Sequence, residues 1–253
     1  MNRRVIPLSP GRRFIADLSW ASLRVPRCVL RAQLSLPRAH AARAALPAPR
    51  PPWTVIFLKG FALASETQPA LRRIHAMLPT PRLIEVPHAI GCIVLERDER
   101  GEPMLGLARF NEPHARPLGA LAERLHSAKR GTTLEVGTHR RQERFVGLPW
   151  PLRRLLLRYA LAMGRPLLRY GGTFAISALG HQGATVVDSV SVLPNFLSYG
   201  AISPAGEVEV FLAFDHRVMD GADGASALQG LQAAIEGPVA AELEALGADS
   251  AFK

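Results

Sequence analysis

Val208-Glu209-Val210-Phe211-Leu212-Ala213-Phe214 leads directly into Asp215-His216-Arg217-Val218-Met219-Asp220-Gly221, and a helix-forming run, Ala222 to Ile235, follows. The first seven residues are apolar except Glu209 and rich in β-branched and aromatic types, so they read as a buried strand. Asp220 is placed to cap the helix. A histidine held between strand and helix suits general-base work, because its unperturbed pKa lies near neutrality. Asp220, four residues on, either orients the loop or caps the helix. Gly221 allows a tight turn or a close approach of backbone to ligand.

Working outward, Thr173 to Ser177 and Val186 to Leu193 read as two further strands. Cys28, Leu30, Ala32, Leu34 and Leu36 alternate with polar residues, the mark of a half-buried strand. Ser9-Pro10 opens a helix that carries Phe14, Leu18, Ala21 and Ser22 and ends by Pro26. Thr54 to Gln68 reads as a largely buried helix that continues after Pro69 from Ala70 to Met77. Gly91 to Glu96 and Met104 to Arg109 flank a charged loop, Arg97 to Pro103, that closes a hairpin. Pro117 to Lys129 is an amphipathic helix, and Leu152 to Leu168 another, with Arg153, Arg154 and Arg158 on its polar side. The Pro/Arg/Ala-rich stretch Pro37 to Pro52 reads as a linker or as a short helix, Ala41 to Leu46. Arg130 to Pro149 is expected to be a long loop. Helices interspersed with strands, several in hairpin order, predict a two-layer α/β sandwich with a mixed β-sheet. No Gly-rich phosphate loop appears, which disfavours a dinucleotide fold.

The 253 residues are 48% hydrophobic and 21% charged, which excludes disorder over most of the length. The longest apolar run, Val55 to Ala64, is interrupted by Lys59 and falls far short of the ~20 residues a bilayer requires. No integral membrane segment is therefore expected. Met1 to Arg4 is basic, but Val5 to Ser9 is too short for a signal-peptide core and contains Pro7. Cys28 and Cys92 make neither a disulfide framework nor a cysteine metal cluster and are expected as buried thiols of a cytoplasmic protein. The net charge is +10, and only Lys59, Lys129 and Lys253 among the 31 Lys and Arg residues are lysine. Arginine-rich coding explains this as well as attraction to an anionic partner does. Nucleic acid ranks low as that partner, because the arginines are scattered and no reader motif accompanies them.

The Asp215–Gly221 heptad resembles the Asp-His-Arg-x-x-Asp-Gly signature of the catalytic domain of 2-oxo acid dehydrogenase acyltransferase components, which are related to chloramphenicol acetyltransferase. Gly171-Gly172-Thr173-Phe174-Ala175-Ile176-Ser177-Ala178-Leu179-Gly180 is similar to that family's Gly-Gly-Thr-Phe-Thr-Ile-Ser-x-Leu-Gly strand, and the two segments fall in the family's order. Looser similarity covers Gly11 to Ala16 and Phe57 to Pro69, so the resemblance spans roughly residues 8–237. It implies a chloramphenicol acetyltransferase-like fold, with residues 1–253 as one acyltransferase-like catalytic domain. It also implies that His216 takes a proton from an acceptor thiol or hydroxyl and that Ser177 hydrogen-bonds the tetrahedral oxyanion. Asp220 then helps to hold the loop, and a homotrimer places the sites between subunits. No cofactor is expected to be bound tightly; the donor is a coenzyme A thioester or an acyl-carrier protein. The chain departs from the family in lacking the lipoyl and peripheral-subunit-binding domains, which reads as a free-standing enzyme. The interval between Ser177 and His216 is short, and Asp188 to Tyr199 does not follow the family's Pro-x-x-Ala-Ile-Leu-Gly pattern.

Other residues carry blander readings. Arg217 is expected to be structural, and His181 to be a loop histidine. His75, His88, His114, His126 and His139 show no ligand spacing, so no metal is assigned. Without a Gly-x-Ser-x-Gly elbow, a serine hydrolase has little support. Two alternatives to acyl transfer stay open: a non-catalytic trimeric scaffold or binding subunit, and thioester hydrolysis with water in the acceptor position.

Overall fold

A computed structural model describes residues 3–99, 102–130, 141–178 and 184–251. Its helices are α1 (Pro10–Ser22), α2 (Pro37–Ala45), α3 (Trp53–Thr67), α4 (Leu118–Lys129), α5 (Trp150–Met163), α6 (Arg165–Tyr170), α7 (Gly221–Ala234) and α8 (Ala240–Ala251), and residues 141–147 are also helical. The strands are β1 (Arg27–Ser35), β2 (Arg73–Ala76), β3 (Arg82–Glu85), β4 (Ile90–Glu99), β5 (Glu102–Asn111), β6 (Phe174–Ala178), β7 (Asn195–Tyr199) and β8 (Glu207–Asp215). Six of them form one mixed sheet in the order β1-β8-β7-β6-β4-β5, in which β6 runs parallel to both β4 and β7. β2 and β3 make a separate antiparallel pair. This is the expected two-layer α/β arrangement.

The main core lies between the large sheet and its helices. Val208, Val210, Leu212 and Phe214 of β8, with Phe174 and Ile176 of β6, pack against Phe57, Phe61, Leu228, Leu231 and Leu243. α3 is buried almost all round, which explains its continuous apolar composition. The second face of the sheet carries a smaller cluster of Cys92, Ala175, Leu193, Phe196 and Ala213. At the β5 edge, Gln142 donates to the Leu105 carbonyl and Arg124 to that of Arg109.

Several expectations need correction. The helix after Pro69 is a single 3-10 turn, Pro69–Arg72, followed by β2, so Ile74 and Ala76 are buried by strand alternation. The β4–β5 hairpin continues into the supposed charged loop, pairing Arg97 with Met104. The Pro/Arg/Ala-rich stretch becomes helical at Pro37, not Ala41, because proline is favoured in a first helical turn. The expected loop from Arg130 is helical at 141–147; its remainder at 131–140 lies outside the described residues. Val186 to Leu193 is not a strand. The strand is β7, bracketed by Pro194 and Gly200. Cys92 is buried, whereas Cys28 is only half-buried.

The Leu152–Leu168 helix is two helices, broken at Gly164, whose φ of 68° is open to glycine and costly for other residues. Of the three arginines expected on its polar side, Arg158 is exposed, Arg154 half-buried and Arg153 buried. Arg153 is buried and, with Arg154, grips the carboxylate of Asp17 on α1, while Trp150, Leu155 and Tyr159 are exposed. Arg153 further donates to the carbonyls of Val146 and Leu148. A buried carboxylate between two guanidiniums is not in itself evidence of net stability, but deleting it strands a buried cation. Asp17→Ala is therefore expected to lower unfolding stability by about 3–5 kcal/mol in a guanidinium titration, far more than an exposed aspartate would.

Candidate active site

His216 follows the last residue of β8 and its loop is tightly tied. The His216 amide donates to the Pro26 carbonyl at 2.8 Å, and the Val218 amide to the Asp215 carbonyl at 2.9 Å. The Asp215 side chain is 96% shielded from solvent and accepts from the Arg217 amide (3.0 Å), Nε (2.9 Å) and Nη2 (2.7 Å). Charge-assisted, near-bidentate bonding of this kind fixes geometry as well as charge. Arg217 is thus a brace for the turn.

The imidazole of His216 is exposed, and its Nδ1 lies 3.1 Å from the Met219 carbonyl. A carbonyl only accepts, so Nδ1 carries the proton of the neutral ring. Nε2 is left with its lone pair. The ring edge also meets Phe214, with centroids 6.0 Å apart. The arrangement presents a base nitrogen of fixed tautomer at the end of a buried strand.

Asp220 is the N-cap of α7. Its carboxylate accepts from the amides of Ala222 (2.9 Å) and Asp223 (3.1 Å), and the Asp223 carboxylate accepts in turn from the Asp220 amide (3.1 Å). Of the two readings offered for Asp220, capping is the one its bonds express. Gly221 is the first residue of α7, and no atom of the chain stands where its Cβ would be. Gly224 makes a close approach: a Cβ there would meet the Phe214 ring at 2.8 Å.

The Gly171–Ser177 segment is built around contact with β4. A Cβ at Gly172 would lie 2.3 Å from the Ile90 carbonyl oxygen, a collision with backbone that no rotamer relieves. Buried Thr173 donates its amide to that same oxygen at 2.8 Å, and its hydroxyl bonds Ile90 as well. Asn195 Nδ2 bridges the carbonyls of Leu71 and Thr173. Ser177 sits near the far end of β6, half-buried, opposite Ser198 of β7. Leu179, Gly180 and His181 lie outside the described residues.

One chain does not bring Ser177 and His216 together. Ser177 pairs with Ser198, and Ser198 pairs with Phe211. From Phe211 the chain runs five residues along β8 before reaching His216, roughly 17 Å at ~3.4 Å per residue, with two strand spacings of ~4.8 Å across. His216 lies beyond one end of the sheet and Ser177 level with the middle of β8, so the two groups are roughly 20 Å apart.

Many of the arginines are occupied structurally. Arg27 reaches the carbonyl of Ser189 and the carboxylate of Asp188, and burial lowers its pKa despite those acidic neighbours. Arg72 bonds the carbonyls of Ser65, Val86 and Pro87. These bonds account for part of the arginine excess without an anionic partner. One group of chemistry-bearing side chains escaped the sequence reading: Glu66, His88 and His114 converge from three separate segments. No local spacing marks them, so only the fold reveals them.

No protein-family model matches the sequence, and neither does any curated protein. Solved structures do share the fold. The dihydrolipoamide acetyltransferase of Azotobacter vinelandii is 18% identical, with a TM-score of 0.69 over 96% of this chain and 94% of its own. A probable dihydrolipoamide acetyltransferase of Listeria monocytogenes is 18% identical, with a TM-score of 0.66 over 92% and 94%. Chloramphenicol acetyltransferase matches at 11% identity and a TM-score of 0.50, over 93% of this chain and all of its own. The chain therefore has the chloramphenicol acetyltransferase-like α/β fold that its motifs suggested.

Asp220→Ala removes an N-cap acceptor and is expected to cost about 1 kcal/mol in chemical denaturation, whereas Asp220→Asn, which keeps an acceptor oxygen, should cost no more than a few tenths.

Proposed function

We propose that the protein is an acyltransferase that moves an acyl group from a thioester donor to a thiol, hydroxyl or amine acceptor. The observation that carries this reading is His216 itself: its Nδ1 is bonded to the Met219 carbonyl and its Nε2 is free, on a fold shared with acetyltransferases. In the Azotobacter enzyme a serine, a histidine and an asparagine four residues beyond it have roles in the catalytic mechanism. Ser177, His216 and Asp220 are their counterparts in type and order, with aspartate in place of asparagine. The N-cap accounts for that exchange, since either side chain accepts from helix amides.

Nε2 of His216 takes the proton of the acceptor as its heteroatom attacks the thioester carbonyl. The tetrahedral oxyanion accepts a hydrogen bond from the Ser177 hydroxyl. Collapse breaks the carbon–sulfur bond, and the departing thiolate recovers the proton from the imidazolium. A donor poised where charge develops typically contributes ~10²–10³ in rate, and a positioned base ~10²–10⁴. Because one chain holds the two groups roughly 20 Å apart, the site is completed between subunits, in a homotrimer of single-domain chains. The donor is coenzyme A-linked or carrier-linked, no cofactor is tightly bound, and the working compartment is the cytoplasm.

Purified protein should release free thiol from an acyl-coenzyme A panel only when an acceptor is supplied. His216→Ala should lose at least ~10²-fold and Ser177→Ala ~10²–10³-fold in kcat, with trimer mass unchanged by light scattering. Co-refolding the two inactive variants should restore activity, because mixed trimers contain interfaces with both groups intact. Full biological activity in the His216/Ser177 double variant would instead establish a scaffold, and thiol release independent of acceptor would establish hydrolysis.

A further inference from the structure

Three backbone segments meet beyond the beginning of β4: the last turn of α3, the β3–β4 connection and the 3-10 turn Pro113–Ala115 after β5. They carry Glu66, His88 and His114, whose ligand-capable atoms all lie within 4.8 Å of one another. His88 Nδ1 is 3.0 Å from Glu66 Oε2, and His114 Nδ1 is 3.6 Å from Glu66 Oε1. The two imidazoles lie side by side, with centroids 5.0 Å apart. Glu66 Oε1 and His114 Nδ1 are shielded from solvent and have no hydrogen-bond partner. Buried polar atoms are nearly always satisfied, so a carboxylate oxygen and an imidazole nitrogen facing each other without a bond call for a shared acceptor of lone pairs.

We infer that Glu66, His88 and His114 form a binding site for one divalent transition-metal ion of the zinc class. Two imidazoles and a carboxylate suit zinc and its first-row neighbours, whereas calcium and magnesium demand six or more oxygen ligands. Bonds of 2.0–2.2 Å to a tetrahedral zinc separate its ligand atoms by ~3.3–3.6 Å; the His114 Nδ1–Glu66 Oε1 contact of 3.6 Å has that spacing, and the ligand atom of His88 lies within 4.8 Å of the other two. Three protein ligands leave a fourth coordination position for water or an added ligand. His88 is the most exposed of the three, at 44%, and provides the way in. The cluster is at the same end of the sheet as His216 but three strands away, on β4 rather than β8, so it is separate from the acyl-transfer residues.

The full-length protein, dialysed against chelator, is titrated with Zn²⁺ by calorimetry and with Co²⁺ by visible absorption. One ion per chain is expected, with the intense d–d bands of tetrahedral cobalt and a Zn²⁺-dependent rise in melting temperature. Loss of a group that merely supports a ligand costs 10–100-fold in affinity, so removing a ligand in Glu66→Gln or His114→Ala should cost more than ~100-fold and abolish the bands. His216→Ala should bind as the parent does. Should His114→Ala fail to fold by circular dichroism, the near-isosteric Glu66→Gln decides. Absence of binding at micromolar metal, or binding that persists unweakened in Glu66→Gln, overturns the assignment.

Discussion

The hydrogen-bonded ladder from β6 through β7 to β8 sets the distance between Ser177 and His216. Its register links Ser177 to Ser198 and Ser198 to Phe211, leaving the four residues Leu212 to Asp215 between that row and His216. Backbone ladders between buried strands do not slip, because a one-residue shift would turn Leu212 and Phe214 away from the core and Ala213 into it. No side-chain rotation spans the remaining gap. The separation of base and hydroxyl is therefore a property of the fold, and a catalytic reading of the two residues requires a neighbouring copy.

At the His216 end, the loop is over-determined by short-range bonds. The Asp215 carboxylate holds Arg217 and the Arg217 amide, the Met219 carbonyl fixes the imidazole tautomer, and Asp220 caps α7. Each is modest alone; charged hydrogen bonds contribute ~1.5–3 kcal/mol and a cap ~1 kcal/mol. Together they remove conformational freedom from the turn that carries His216. Four of the heptad's side chains, those of Asp215, His216, Arg217 and Asp220, take part in these bonds.

That density of local bonding also explains what the sequence could reveal. The Asp215–Gly221 heptad, the capped α1 and α7 and the alternating β1 were readable because neighbours in sequence determine them. Gly171-Gly172-Thr173 was readable as a motif, while its cause, contact with the Ile90 carbonyl, is visible only in space. β7 was misplaced because Asn195–Tyr199 is buried on both faces and lacks alternation, while the preceding Val186–Leu193 imitates it. Arg153 reads as a surface residue because nothing near it in sequence announces Asp17, 136 positions away. The Glu66–His88–His114 cluster escaped for the same reason: its members meet through tertiary structure alone.

The treatment of the β5 edge has a consequence for the protein's behaviour in concentrated solution. An unprotected outer strand offers its main-chain acceptors to any passing extended peptide, the first step toward fibrils. Here the Leu105 and Arg109 oxygens are already engaged by Gln142 and Arg124 of the same chain. An incoming strand would have to displace an amide and a guanidinium, both held intramolecularly at high effective concentration. Arg124 and Gln142 thus act as intramolecular guards against runaway strand addition, a role that net charge alone does not describe.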